Sequence, residues 1–286
     1  MSTTVKKDET TAEHVLEVNG PPALGTPAPP AAPRRGRRRA IITIVQVAII
    51  AVFLLAWEWA SRSGVLDPQL FGRPSGVASS FIDYVASAKG LASLTATAQA
   101  VGLAFVIGAI TGTFAGLVLG LSRTLDDTLG PFLTPLNSIP RIALAPLFIA
   151  WFGLTLNAKV ALAVSIVFFI LAENARSAVR SVDPDLMTMA RVVGLRGGSL
   201  LYKVVLPSAV PALFAGLRLT FTYALLGVIA SEMVAASSGV GQDIVLFSSG
   251  YQIDTVFAII LELVIIAIVI NSIFTVVERR LLRWQE

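Results

Sequence analysis

Three charged side chains interrupt long apolar runs: Arg141 in SIPRIALAPLFIAWFG, Arg218 in GLRLTFTYALLG and Glu232 in IASEMVAASSGVG. An ionised group at the centre of a bilayer costs about 2.5–3.5 kcal/mol on insertion scales, so such residues face a bundle interior or a water-filled cavity. A guanidinium in that position can hold an anion, and Arg141, beside Pro140, is the first candidate for lining a solute pathway. Its competing reading is a side chain that snorkels to the headgroups. Glu232, near the outer end of its run, reads as a carboxylate that caps or pairs, with a pathway or gate role as the alternative. Arg218, a turn or two inside its run, is expected to pair with a neighbouring helix more than to meet solute.

The remaining chemistry is sparse. The chain has no cysteine, which removes thiol nucleophiles, disulfides and thiolate-bound metals, and its single histidine, His14, sits in a polar tail. No nucleophile, histidine and acid set can be assembled. No G-x-x-x-x-G-K-[ST] occurs, so the chain has no P-loop to cradle ATP phosphates. The residues fit a conduit and not a catalyst, with no catalytic residue, metal or cofactor expected on this chain.

The elements that must carry these side chains follow from composition. Of 286 residues 55% are hydrophobic and 14% charged, far below the charge of a soluble domain, so the chain is read as an integral membrane protein. Runs such as IITIVQVAIIAVFLLAW are apolar on all sides, which excludes the alternating pattern of a β-barrel and leaves an all-α polytopic bundle. Six spans are expected, at about 40–60, 94–121, 131–153, 158–172, 209–230 and 255–277. The third is broken near its start by Pro135, Pro140 and Pro146, and a short interfacial helix follows the first. The second carries Gly102, Gly108, Gly112, Gly116 and Gly120, largely at the four-residue spacing that lets helices approach closely. Residues 1–39 divide from the membrane domain, 40–286, as a Pro/Ala-rich disordered tail with a basic flank. The first span is longer than a signal's apolar region and is expected to be retained.

Basic residues set the orientation. RRGRRR (34–39), Arg123, Arg176, Arg180, Arg191, Arg196, Lys203 and the terminal ERRLLRW fall on one side of a six-span arrangement. Only Arg62, Arg73, Lys89 and Lys159 fall on the other. Both termini are therefore expected in the cytoplasm. RRGRRR reads as a topology signal, not a nucleic-acid site. Trp57, Trp59, Trp151 and Trp284, near span ends, suit an interfacial belt.

Between the fourth and fifth spans lies SVDPDLMTMARVVGLRGGSLLYKVVLP (181–207). Asp183 can cap a helix beginning at Pro184; Leu186, Ala190 and Val193 are expected on one face, and Gly194 as its left-handed end. Ser199 is expected to cap a second helix closed by Pro207.

Ala190, Gly194, Val204, Leu206 and Pro207 match the Glu-Ala-Ala, three residues, Gly, nine residues, Ile, one residue, Leu-Pro signature loop of bacterial ABC-importer permease subunits. Thr188 and Met189 stand where that pattern has Glu and its first Ala. IPRIALAPLFIAWFG, GLRLTFTYALLG, ASEMVAASSGVG and VERRLLRW extend the match, so the chain over about 75–284 resembles the branch importing nitrate, sulfonates, taurine and related small anions. The resemblance implies a bacterial inner-membrane permease whose loop residues, Leu195 included, dock a coupling helix onto a separate ATPase. It further implies two permease copies, two ATPase copies binding ATP-Mg, and an extracytoplasmic substrate-binding protein. Without the leading acid, docking is expected to rest on shape and apolar contact. An ion-gradient-driven transporter or a channel is the competing class, but membrane acids are few and no repeat relates the two halves.

Overall fold

The computed structural model describes residues 35–281, and every regular element among them is helical. The chain divides into two compact units, Met1–Ala51 and Val52–Glu286. In the first, the described part is the start of helix α1 (Arg35–Arg62); the expected tail, residues 1–33, and Trp284 lie outside the described residues.

In the second unit, α2 (Pro68–Phe71) and α3 (Pro74–Ala86) replace the one interfacial helix expected. Gly72, at φ 65°, turns the chain between them, and each helix has proline in its first turn, where the missing N–H is not needed. Helix α4 (Ala88–Leu121) and α7 (Leu156–Arg180) form the central pair. The glycine stripe is the reason: a Cβ on Gly112 would lie 2.5 Å from the Phe168 carbonyl oxygen, and one on Gly116 would lie 2.2 Å from that of Ala172. Gly108 and Gly120 abut the side chains of Val167 and Val179, whereas Gly102 has open space beside it. Because backbone blocks the added carbon, Gly116→Val is expected to cost at least about 1–3 kcal/mol through overpacking. Unfolding of the detergent-solubilised protein checks this, with Gly102→Ala nearly neutral as the control.

The third span breaks at Pro140, one of the three prolines expected to interrupt it, and not at Pro135 or Pro146. Helix α5 (Arg123–Ser138) keeps Pro131 and Pro135 inside it, and the chain bends by 81° before a 3-10 turn, Arg141–Leu144, and α6 (Ala145–Phe152). The break falls at Ile139 because the residue before a proline is pushed out of the helical region, and Ile139 is extended at ψ 127° ahead of Pro140. Ser122 caps α5 at the Leu125 N–H, so what reads as a polar connector, SRTLDD, is helical from Arg123.

After α7 come α8 (Pro184–Val192), the single turn α9 (Gly198–Leu200), a π turn (Leu201–Val205) and α10 (Leu206–Val234). The last three make one helical run from Gly198 to Val234, so Pro207 does not end a helix. Its missing N–H falls just past the π turn, whose wider ladder accommodates the lost bond. The serine-glycine stretch gives way to α11 (Val240–Ser249), and α12 (Ile253–Leu281) is the last described element. Among the described residues five helices are long and apolar enough to cross a membrane, six with the bent pair counted as one. Leu162, Val167, Leu171, Ala224 and Val228 of α7 and α10 form the buried centre, and Ala175, Ala178, Ala209 and Leu213 extend it toward the loop.

Candidate functional site

Three places bring the charged and motif residues into defined geometry. The first is the break in the α5–α6 span. Bending exposes the last carbonyls of α5, and Arg141 folds back to them: Nη2 donates to Leu136 O at 2.9 Å and Nη1 to Asn137 Oδ1 at 3.2 Å. The guanidinium lies 4.3 Å from the Phe169 ring centroid. Beside it, Leu133, Asn137, Phe169, Ala172 and Glu173 line a recess of about 190 Å³. Arg141 is half-buried against its own helix end and thus does not extend away from it, while Asn137, Pro140 and Ile142 on the same stretch are exposed.

The second is at the end of the bundle where α7 begins and α10 finishes. Glu232 is 1% exposed and Lys159 4% exposed, and they form an ion pair at 3.0 Å. Thr97 Oγ1 donates to the Glu232 carboxylate (2.9 Å to Oε2), and the Gly241 N–H donates to Oε2 at 2.9 Å. The Val240 N–H donates to Thr97 Oγ1, and Lys159 Nζ also donates to Ser238 O. Four elements, α4, α7, α10 and α11, meet at one carboxylate. Of the two sequence readings, the caps-or-pairs one describes this geometry. Lys159, counted in the sequence among the few basic residues of the outer side, is the buried partner. Its apolar neighbours in NAKVALAVSI mark a helix start but give no sign of which acid it meets.

The same end holds a second polar group: Tyr84 OH donates to Asp243 Oδ2 at 2.7 Å, and Lys89 pairs with Oδ1 at 3.1 Å. Burial, with Asp243 beside it, pushes the Tyr84 phenol's pKa up, so it remains a neutral donor. At the opposite end, Arg176 and Arg180 both reach the buried Asp126 and tie α5 to α7. Asp126→Asn is expected to loosen that tie and to speed proteolysis near Arg123, with the spectroscopic helix content unchanged.

The third place is the loop 181–207. Asp183 accepts from the Asp185 N–H, and Gly194, at φ 90°, ends α8, both as expected. Its faces differ from expectation. Ala190 is buried, and Leu206 packs against the bundle. Val204 and Pro207 are half-buried, and Leu195 donates its N–H back to Ala190 O at 2.9 Å. Val193, placed with Ala190 by spacing, instead projects outward with Met189 and Val192, at 80%, 67% and 82% exposure; Tyr202 joins them. Ser199 bonds the Arg196 backbone and so closes the turn; Gly197 occupies the position before the helix. Thr188, in place of the acid, bonds back to Pro184 O within its own helix.

Arg218 is exposed and faces α12 across a recess it shares with Thr222, Asn271 and Glu278.

Residues 104–283 match the family described as the binding-protein-dependent transport system inner membrane component. The chain is 31% identical over 235 residues to the putative aliphatic sulfonates transport permease protein SsuC of Bacillus subtilis, covering 82% of this chain and 85% of that one. It is 26% identical over 246 residues to the taurine transport system permease protein TauC of Escherichia coli, covering 84% and 89%. An inward-facing structure of the MetNI methionine ABC transporter superposes at a TM-score of 0.59 with 21% identity, over 65% of this chain and 92% of that one, a likeness of fold.

Proposed function

Because the chain belongs to the family of binding-protein-dependent transport system inner membrane components, we propose that it is the membrane-spanning permease of an ATP-driven importer for a small anion of the sulfonate class. Two copies enclose the solute pathway at their interface. Two separate ATPase subunits, which bind ATP-Mg, dock on the loop 181–207, and an extracytoplasmic binding protein delivers the solute at the Lys159–Glu232 end. Both termini then lie in the cytoplasm with the loop. The relatives named for aliphatic sulfonates and taurine support the cargo class.

The observation that carries this reading is the outward apolar triad Met189, Val192 and Val193 on a loop whose other side is anchored to the bundle. Apolar side chains this exposed, on a helix flanked by Arg191 and Arg196, are suited to neither lipid nor water; a protein groove covers them. The break at Pro140 supplies the pathway side. Irregular backbone and an exposed asparagine are tolerated at membrane depth where they line a cavity, so the α5–α6 face borders the pathway. The remaining N–H groups of Arg141 are the anion contacts there.

Uptake of radiolabelled ethanesulfonate by cells expressing the whole importer tests the proposal. Arg141→Gln is expected to lower uptake at least tenfold while the ATPase still copurifies, with Arg141→Lys intermediate. Unchanged uptake in Arg141→Gln would remove Arg141 from the pathway.

A further inference from the structure

Arg218 and Glu278 carry opposite charges into one recess of about 400 Å³ between α10 and α12, yet no ion pair within 4 Å closes between them. Thr222 and Asn271 add a hydroxyl and an amide to the same walls. Their depth follows from helix rise. Arg218 lies 14 residues from Glu232, about 21 Å along α10 at 1.5 Å per residue. Glu278 lies 24 residues from Asp254, about 36 Å along α12 by the same rise. With Glu232 and Asp254 near one boundary of a hydrocarbon core about 30 Å thick, Arg218 falls in its last third and Glu278 at or beyond the opposite surface. Leu219 beside the recess, and Ile268 and Ile273 along α12, are exposed apolar side chains.

A guanidinium that reaches toward the headgroups, an amide near the edge of the hydrocarbon, a carboxylate farther out in water, and apolar side chains leading away into the membrane form a graded surface. Phosphate suits the first set, an ammonium bearing N–H donors suits the carboxylate, and an acyl chain suits the apolar side chains. We propose that this recess binds the headgroup of a phosphoethanolamine lipid, its phosphate on Arg218 and Asn271 and its ammonium on Glu278. A phosphocholine headgroup offers no N–H to Glu278, and a phosphoglycerol headgroup offers no positive charge, so both bind less well. The site is independent of the cargo and of the ATPase.

Native mass spectrometry of the full-length chain in detergent, titrated with phosphatidylethanolamine, phosphatidylcholine and phosphatidylglycerol of matched acyl chains, tests this. The wild-type protein is expected to retain phosphatidylethanolamine at least fivefold better than the other two. Glu278→Gln is expected to abolish that discrimination, Arg218→Gln to lower retention of all three, and Arg218→Lys to keep the preference. Free phosphoethanolamine, lacking acyl chains, should not displace the lipid. Equal retention of the three lipids, or an unaltered preference in Glu278→Gln, overturns the proposal. So does displacement by ethanesulfonate, which would assign the recess to cargo, and so does occlusion of the recess by a second copy whose dimer excludes lipid.

Discussion

Replacing Glu232 by alanine is expected to destabilise the protein by about 3–5 kcal/mol, the range for removing one partner of a buried ion pair. The size comes from what is left behind. Lys159, 4% exposed, would keep its charge with only the Ser238 carbonyl to receive it, while Thr97 and the Gly241 N–H would lose their acceptor. Lys159→Met should cost a similar amount by stranding the carboxylate. The double variant Lys159→Met/Glu232→Met should recover part of the loss, because it removes both charges but still strands the Thr97 and Gly241 donors. The backbone is shaped around this carboxylate: a Cβ on Gly239, whose φ is 117°, would fall 2.0 Å from Glu232 Oε1. Chemical unfolding in detergent, followed by helical signal, reads these differences. A Glu232→Ala protein within about 0.5 kcal/mol of wild type, against the loss expected for a stranded buried charge, would mean the pair is not closed in the membrane.

The second large effect is expected at the loop. Val192→Asp combined with Val193→Asp should lower affinity for the partner ATPase at least tenfold and abolish uptake, with the permease still folded. Both side chains are about four-fifths exposed, so the bundle does not depend on them. Burying a valine on association contributes about 1.5–3 kcal/mol, and an unpaired aspartate in the same groove opposes docking further, so a tenfold loss is a modest expectation. Thr188→Glu, by contrast, should change ATPase affinity little, since Thr188 turns its hydroxyl into its own helix and the proposed docking rests on the apolar triad. Copurification and surface-binding measurements with the ATPase check both; normal binding by the Val192/Val193 variant would move the docking surface elsewhere.

Much of this architecture is legible in residue order because it rests on local rules. Asp183 before Pro184 and Gly194 after the last turn of α8 specify that helix by capping and by positive φ, and the glycines of α4 specify a close neighbour through their spacing. What could not be read is set by partners distant in sequence. Lys159 and Glu232 lie 73 residues apart, and neither side chain names the other. Arg176 and its partner Asp126 lie 50 residues apart, and the basic count of one side does not reveal the pair. Proline alone does not say where a helix breaks in such a bundle. Pro131 and Pro135 sit inside α5 because neighbouring groups in a membrane bundle absorb the lost bonds, and Pro207 passes inside a helix behind a π turn. Pro140 breaks its span because Ile139 before it turns extended. The exposed apolar face differs for a geometric reason too: the chain turns at Gly194, so Val193 leaves the line of Ala190 and joins Val192 outside.

The measurement that bears most directly on the proposed function is uptake of ethanesulfonate into proteoliposomes holding the permease, its ATPase and the binding protein. Solute is supplied outside and energy is supplied either as enclosed ATP or as an imposed proton gradient. Uptake that requires ATP, the ATPase and the binding protein together, and that disappears with the Val192/Val193 aspartates, is the predicted result. Uptake that follows the proton gradient in the absence of the ATPase would contradict it and establish a secondary transporter.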